Sequence, residues 1–175
     1  MFVDPKKIVE QFGLTPGMRV ADFGCGPGFY TLACARLVGE KGRVYAIDIQ
    51  EDLLKQLKTE AQREHIENIE IIRGDLEEAG GSTLKEGSVG VVILANTLFQ
   101  LDEPQKCVDE ALRVVEKGGK IFVIDWKESF GGLGPQKENV ISQDDARKLF
   151  EREGCEITRD INAQNYHYGF EVTCK

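Results

Sequence analysis

Residues 19–31 read R-V-A-D-F-G-C-G-P-G-F-Y-T, an apolar strand that runs into three alternating glycines and on into a helix. Val20, Ala21 and Phe23 supply the strand, while Gly24, Gly26 and Gly28 remove the side chains that would hold a ligand away from the backbone. Pro27 suits a first helical turn, where its missing N–H costs nothing, so a helix is expected over 27–38, closed by Gly39. Strand, glycine turn and helix in this order suit a nucleotide-like ligand.

The spacing of the glycines narrows the ligand class. A dinucleotide fingerprint is G-x-G-x-x-G, whose third glycine lets the helix pack closely on the strand. Here Phe29 stands at that position and the glycine falls one residue early, at Gly28. Residues 42–50, G-R-V-Y-A-I-D-I-Q, read as a second strand ending in Asp48, about 20 residues beyond the glycines, where a ribose-binding carboxylate is required. Glycine loop, helix, strand and terminal acid together argue for a ligand site over an ordinary strand-to-helix turn.

Bulk properties exclude several classes. A chain of 175 residues is long enough for one domain with a real core. With 22 basic and 30 acidic side chains the net charge is −8, which repels phosphate backbones, so no nucleic-acid partner is expected. Residues 1–7 are polar and the longest apolar run, Val89 to Ala95, is too short to span a bilayer, so a cytoplasmic protein without a membrane span is expected. Cysteines 25, 34, 107, 155 and 174 form no C-x-x-C pair, which favours reduced, packed thiols and no metal.

Along the chain, strands and helices alternate without linker or repeat. Asp4-Pro5 starts a short helix with Ile8, Val9 and Phe12 on one face, ended by Gly13. Strands are expected at 19–23, 44–48, 69–72, 89–94 and 120–125. A helix over 51–64 carries the stripe Leu53, Leu54, Leu57 and Ala61, and one over 102–116 carries Val108, Leu112 and Val115, stopped by Gly118-Gly119. Such alternation implies a parallel sheet. Ser142 then caps a helix to Glu153, with Asp145 in the capping-box position and Gly154 as the stop. Two strands follow, 155–161 and 166–174, with only 162–165 between them, which forces an antiparallel hairpin. In the second, Tyr166, Tyr168, Phe170, Val172 and Cys174 alternate against His167, Glu171 and Thr173.

The pattern D-x-G-x-G-x-G at 22–28 resembles motif I of the class I S-adenosylmethionine (SAM)-dependent methyltransferases. R-G-D-L-E at 73–77, L-A-N-T-L-F-Q-L at 94–101 and E-A-L-R-V-V-E-K-G-G-K-I-F-V-I-D-W at 110–126 extend the resemblance over nearly the whole chain. By pattern it is most similar to the ubiquinone/menaquinone-biosynthesis-like C-methyltransferases, including Asp125-Trp126 and the nearby Gly134-Pro135. It departs at Phe99-Gln100, where that subgroup often has histidines, and it lacks the helices that usually cover the substrate. No N-P-P-Y-like stretch follows the fourth strand, against adenine or amide nitrogen methylation.

The resemblance implies an α/β, Rossmann-like three-layer sandwich: a seven-stranded, mostly parallel sheet with an antiparallel C-terminal hairpin strand. It implies one domain over 1–175, with a short helix in 1–13, a SAM-binding core over 19–125 and a C-terminal helix and hairpin over 142–175. Cofactor contacts are expected from Asp22, Gly24, Cys25, Gly26, Gly28 and Tyr30 in the first motif, and from Asp48 and Ile49 after the second strand. Gly74, Asp75 and Leu76 after the third strand and Asn96 after the fourth complete the set. Asp22 alternatively only ends its strand, Gly74-Asp75 only make a turn, and Tyr30 packs as helix core or faces the cofactor's methionine end.

Strand direction brings Asp125, Trp126, Tyr166 and His167 to the carboxyl edge of the sheet, where ligands bind in open α/β folds. Trp126, Tyr166, His167 and Phe99 are therefore expected to touch a small-molecule methyl acceptor. In-line displacement at an activated sulfonium needs positioning more than a covalent intermediate. If a proton must leave, Asp125 or neutral His167 is the expected base, His167 otherwise bonding the hairpin turn. A nicotinamide oxidoreductase is opposed by the glycine spacing and the hairpin. A SAM-binding subunit without activity and a methyltransferase acting on a macromolecule are the alternatives to a small-molecule enzyme.

Overall fold

The structure is a computed structural model that describes residues 4–173; Met1–Val3 of the 1–7 stretch, Cys174 of the last alternating stretch and Lys175 lie outside the described residues. Seven strands, β1 (Arg19–Phe23), β2 (Arg43–Asp48), β3 (Ile69–Arg73), β4 (Val89–Ala95), β5 (Val115–Trp126), β6 (Glu156–Asp160) and β7 (His167–Thr173), form one sheet. Their order is β3-β2-β1-β4-β5-β7-β6. The first five pair in parallel and β7 runs antiparallel to both β5 and β6. This is the mostly parallel, seven-stranded fold with an antiparallel terminal strand.

Helices α1 (Pro5–Val9), α2 (Phe29–Val38) and α3 (Glu51–Arg63) cover one face, and α4 (Pro104–Val114) and α5 (Gln143–Glu151) the other. The Asp4 side chain caps α1 by accepting from the Lys6 amide, and Gly13 closes its 3-10 extension at φ +67°. Alternation sorts β4 between the two layers: Val91 and Ile93 meet Val9 and Phe12's cluster, while Val92 and Leu94 meet Val108 and Phe150's. A strand buried on both faces reads as the continuous apolar run seen at 89–95. The Phe12 ring stacks on Phe122 at 4.0 Å and fixes the N-terminal helix to the sheet. No helix among the described residues is long and apolar enough to cross a membrane.

Four sequence expectations are corrected. The helix after the glycine loop starts at Phe29, not Pro27, because Gly28 takes a left-handed φ of +89° that cannot enter a right-handed helix. The fourth helix ends at Val114; Val115 instead pairs with Val89, and β5 runs through Gly118-Gly119 across a register shift. His167 and Glu171 are buried, because β7 is inserted between β5 and β6 and covered on both faces. Glu171 tolerates this by meeting Lys120 at 2.9 Å and Arg159 at 2.7 Å. Leu53 leaves the core stripe, and only Leu54, Leu57 and Ala61 of it are buried.

Candidate functional site

The strand order turns at β1, whose neighbours are β2 on one side and β4 on the other. The chain leaves the carboxyl ends of β1 and β4 in opposite directions, opening the crevice where ligands bind in such sheets. A cavity of about 400 Å³ lies there. Gly24, Cys25, Gly26 and Tyr30 line it from the glycine loop and α2; Asp48 and Ile49 from the end of β2. Gly74, Asp75 and Leu76 line it from the turn after β3, and Asn96 from the turn after β4.

The three glycines have three separate roles. A Cβ on Gly24 would stand 2.6 Å from Thr97 Oγ1, whose hydroxyl donates to the Phe23 carbonyl at 2.8 Å and ties β4 to β1. A Cβ on Gly28 would stand inside the Leu57 side chain, so Gly28 supplies the close helix packing that Phe29 does not. Gly26, at φ +53°, has open space where its Cβ would be, on the cavity wall. The Phe29 ring is 67% exposed and lies on that wall too.

Asp48 welds the two cofactor-like motifs together. Its Oδ2 accepts from the Gly26 amide and its Oδ1 from the Gln50 amide, each at 2.8 Å. A carboxylate has about four acceptor positions, so two remain for ligand hydroxyls. Behind the loop, Asp22 is buried and accepts from the Thr31 hydroxyl. Burial raises its pKa to about 6. Asp22 does not line the cavity, and neither does Gly28.

Two side chains on the cavity wall carry buried polar atoms without a partner: Tyr30 Oη and Asn96 Oδ1. Asn96 also holds a left-handed φ of +57°, and its amide donates to the Ile124 carbonyl at 2.8 Å. Buried polar atoms ordinarily find a partner in protein, water or ligand, and these two are free to meet one from the cavity. Burial, followed by the neighbouring Asp22 carboxyl, pushes the Tyr30 phenol up, so it remains protonated and able to donate.

The expected acceptor residues stand at the same edge but outside this cavity. The register pairs Trp126 with His167 and Asp125 with Tyr168, so the hairpin turn is at the carboxyl edge. Neighbouring residues on a strand point to opposite faces, and the rim is therefore split. Trp126 and His167 share one face, with ring centroids 4.3 Å apart; Asp125 and Tyr168 share the other. Tyr166 sits edge-on against Phe130 at 4.8 Å, and the Gly134 backbone lies on the Trp126 ring, leaving 2.6 Å for a Cβ.

Asp125 is 1% exposed; Trp126 N donates to its Oδ1 at 2.8 Å and Phe99 N to its Oδ2 at 3.4 Å. Burial outweighs those bonds and raises its pKa to about 7. His167 does not bond the turn: both ring nitrogens lack partners, and burial lowers its pKa to about 4. Of the two expected bases, Asp125 is thus the one matched to neutral pH.

Sequence reasoning missed Phe29, Leu53, Thr97, Gln100 and Leu101, all on the cavity wall. In the sequence Leu53 belongs to an apolar helix stripe and Phe29 stands where a glycine would pack, so neither carries a ligand signal of its own. Among the described residues no group of three His, Cys, Asp or Glu side chains stands together as a metal set.

Residues 14–163 match the family described as a methyltransferase domain. A SAM-dependent methyltransferase from Aquifex aeolicus is 31% identical, with a TM-score of 0.89 over 99% of this chain and 91% of that one. The demethylmenaquinone methyltransferase of Bacillus mycoides (strain KBAB4) is 27% identical over 69% of this chain and 49% of its own length. A ubiquinone/menaquinone biosynthesis C-methyltransferase from Shewanella sp. (strain ANA-3) is 27% identical over 90% of this chain and 61% of its own. The chain spans about half to three-fifths of the length of these two curated relatives.

Proposed function

The chain belongs to the methyltransferase-domain family of class I, SAM-dependent enzymes, and from that premise we propose that it transfers a methyl group from SAM to a small-molecule acceptor. One juxtaposition carries the reading. Gly26 leaves open space on the cavity wall while Asp48, holding its amide at 2.8 Å, keeps acceptor positions for a ribose. The orphaned Tyr30 Oη and Asn96 Oδ1 fit the polar end of the same cofactor.

SAM supplies a sulfonium methyl that is already an electrophile. The protein's share is to hold donor and acceptor in line, which is worth on the order of 7–11 kcal/mol without any covalent intermediate. Glycine loop, Asp48, Ile49 and the 74–76 turn hold the cofactor in this reading; Trp126, Tyr166, His167 and Phe99 orient the acceptor. Asp125, with a pKa near 7, is 1% exposed and lies on the face opposite Trp126 and His167, so in this reading it holds the Trp126 and Phe99 amides in place and does not meet the acceptor. His167, neutral at physiological pH, accepts a hydrogen bond from the acceptor through a ring nitrogen.

A small molecule is favoured by the net charge of −8, which opposes a polynucleotide, and by the quinone-pathway names of the curated relatives. A cytoplasmic setting, with the cysteines as reduced thiols, belongs to the same proposal. Calorimetry with SAM, S-adenosylhomocysteine and NADH tests the cofactor; release of S-adenosylhomocysteine from a panel of phenolic, quinone-precursor and RNA acceptors tests the acceptor. Binding of NADH with no response to S-adenosylhomocysteine overturns the cofactor reading, and turnover with RNA alone overturns the acceptor class.

A further inference from the structure

The turn after β3 is anchored from a helix that does not line the cavity. Residues 74–84 form neither helix nor strand. Their fixed point is Glu110 on α4, 3% exposed. Its Oε2 accepts from the Gly80 amide at 3.1 Å, and its Oε1 accepts from the Ser82 amide at 3.1 Å and from the Ser82 hydroxyl. Arg113 donates to the same carboxylate through Nε at 2.8 Å and Nη2 at 2.7 Å, and reaches the Leu84 carbonyl at 2.9 Å. Burial opposes the charge, yet these donors outweigh it and hold the Glu110 pKa at about 2, so the carboxylate is ionised at any working pH.

Between the two anchored residues lies Gly81, which has no side chain because there is no room for one. A Cβ on Gly81 would strike the Asp75 carbonyl, and one on Gly74 would strike the Gly81 carbonyl. Gly74 and Asp75 line the cavity. Backbone contact is thus continuous from Glu110, through Gly80 to Ser82, to the cavity wall, with no flexible side chain to absorb a shift. We propose that Glu110 is a positioning residue for the cofactor: it sets the place of Gly74 and Asp75 on the wall, and through them the affinity for SAM, without touching the ligand. The inference rests on the reading that this cavity holds SAM.

Glu110→Gln keeps the shape but turns amide hydrogens toward the Gly80 amide or Arg113, which are donors themselves. Hydrogen exchange should quicken in residues 74–84 while β1 and β4 keep their protection. The dissociation constant of S-adenosylhomocysteine should rise roughly 3- to 30-fold. KM for SAM should rise with it while kcat at saturating SAM holds, a split that general destabilisation does not produce. Unchanged exchange in 74–84, or quickened exchange with unchanged affinity, overturns the proposal. Asp48→Ala, measured alongside, separates the two readings: if it weakens binding while Glu110→Gln does not, only the positioning role fails, and if neither does, the cavity is not the cofactor's. Should Glu110→Gln fail to fold, Ser82→Ala removes one arm of the anchor and carries the same readouts.

Discussion

The Leu57 side chain fills the space into which a Cβ on Gly28 would project, while nothing occupies the corresponding space at Gly26, two residues earlier. The same tripeptide therefore holds one glycine required by packing and one required by whatever enters the cavity. Gly28→Ala should cost about 2–4 kcal/mol, from a left-handed backbone and an overfilled contact with buried Leu57. Gly26→Ala should cost only about 1–2 kcal/mol for its backbone, yet weaken SAM binding by more than about tenfold. Urea unfolding and calorimetry on both variants check the contrast; equal stabilities would mean that Leu57 moves aside.

Asp48 serves the loop and the ligand at once. Asp48→Ala releases the Gly26 and Gln50 amides and removes the remaining acceptor positions. Binding of S-adenosylhomocysteine should weaken by about 1.5–3 kcal/mol, the value of hydrogen bonds to a charged acceptor. Asp48→Asn, with one acceptor oxygen left, should fall between. An unaltered titration curve for Asp48→Ala would remove the carboxylate from the site.

Stability should depend on pH through buried groups of opposite sign, with Asp22, raised by burial to about 6, acting in the same direction as Asp125. Burial raises Asp125 to about 7, so the folded chain holds a proton that the unfolded chain has lost, and stability falls as pH rises from about 4 through 7. Burial lowers His167 to about 4, so the unfolded chain takes a proton first, and stability falls as pH drops from about 6.5 to 4. The two slopes oppose one another below about 6.5. Above it Asp125 is the main contributor, with a smaller part from Asp22, whose pKa burial raises to about 6, and stability should decline by about 1–2 kcal/mol between pH 6 and pH 8. Denaturant midpoints should lose most of that decline in Asp125→Asn, the Asp22 part remaining; a decline of the same size in the variant would assign it to another group.

Trp126 and His167 stand at the carboxyl edge but outside the cavity wall. Trp126→Ala and His167→Phe should each lower methyl transfer to the identified acceptor by about 10- to 100-fold, as misplacement of a reacting group does. Affinity for SAM should stay within about twofold of the parent, because neither side chain lines the cavity. Full turnover in both variants would move the acceptor toward Phe29, Tyr30 and Gln100 on the cavity wall.

Strand, glycine turn, helix and terminal acid are legible in the sequence, because the left-handed turns at Gly24, Gly26 and Gly28 select glycine through local backbone conformation alone. Apolar runs likewise mark the inner strands β1, β4 and the second half of β5, which are covered on both faces, whereas 115–116 read as the end of a helix. Only the tertiary structure decided which glycine packs and which is open, because that depends on Leu57, a residue of a different helix. It also decided that β7 is inserted between β5 and β6, which buries His167 and Glu171 on a strand whose alternation suggested an exposed face. The Glu110 anchor, reaching Gly80 and Ser82 across 28–30 positions, was beyond any local pattern for the same reason. Periodicity records which faces are apolar; the identity of the neighbour that covers a face, and hence the pKa of a buried group, is set only when distant segments meet.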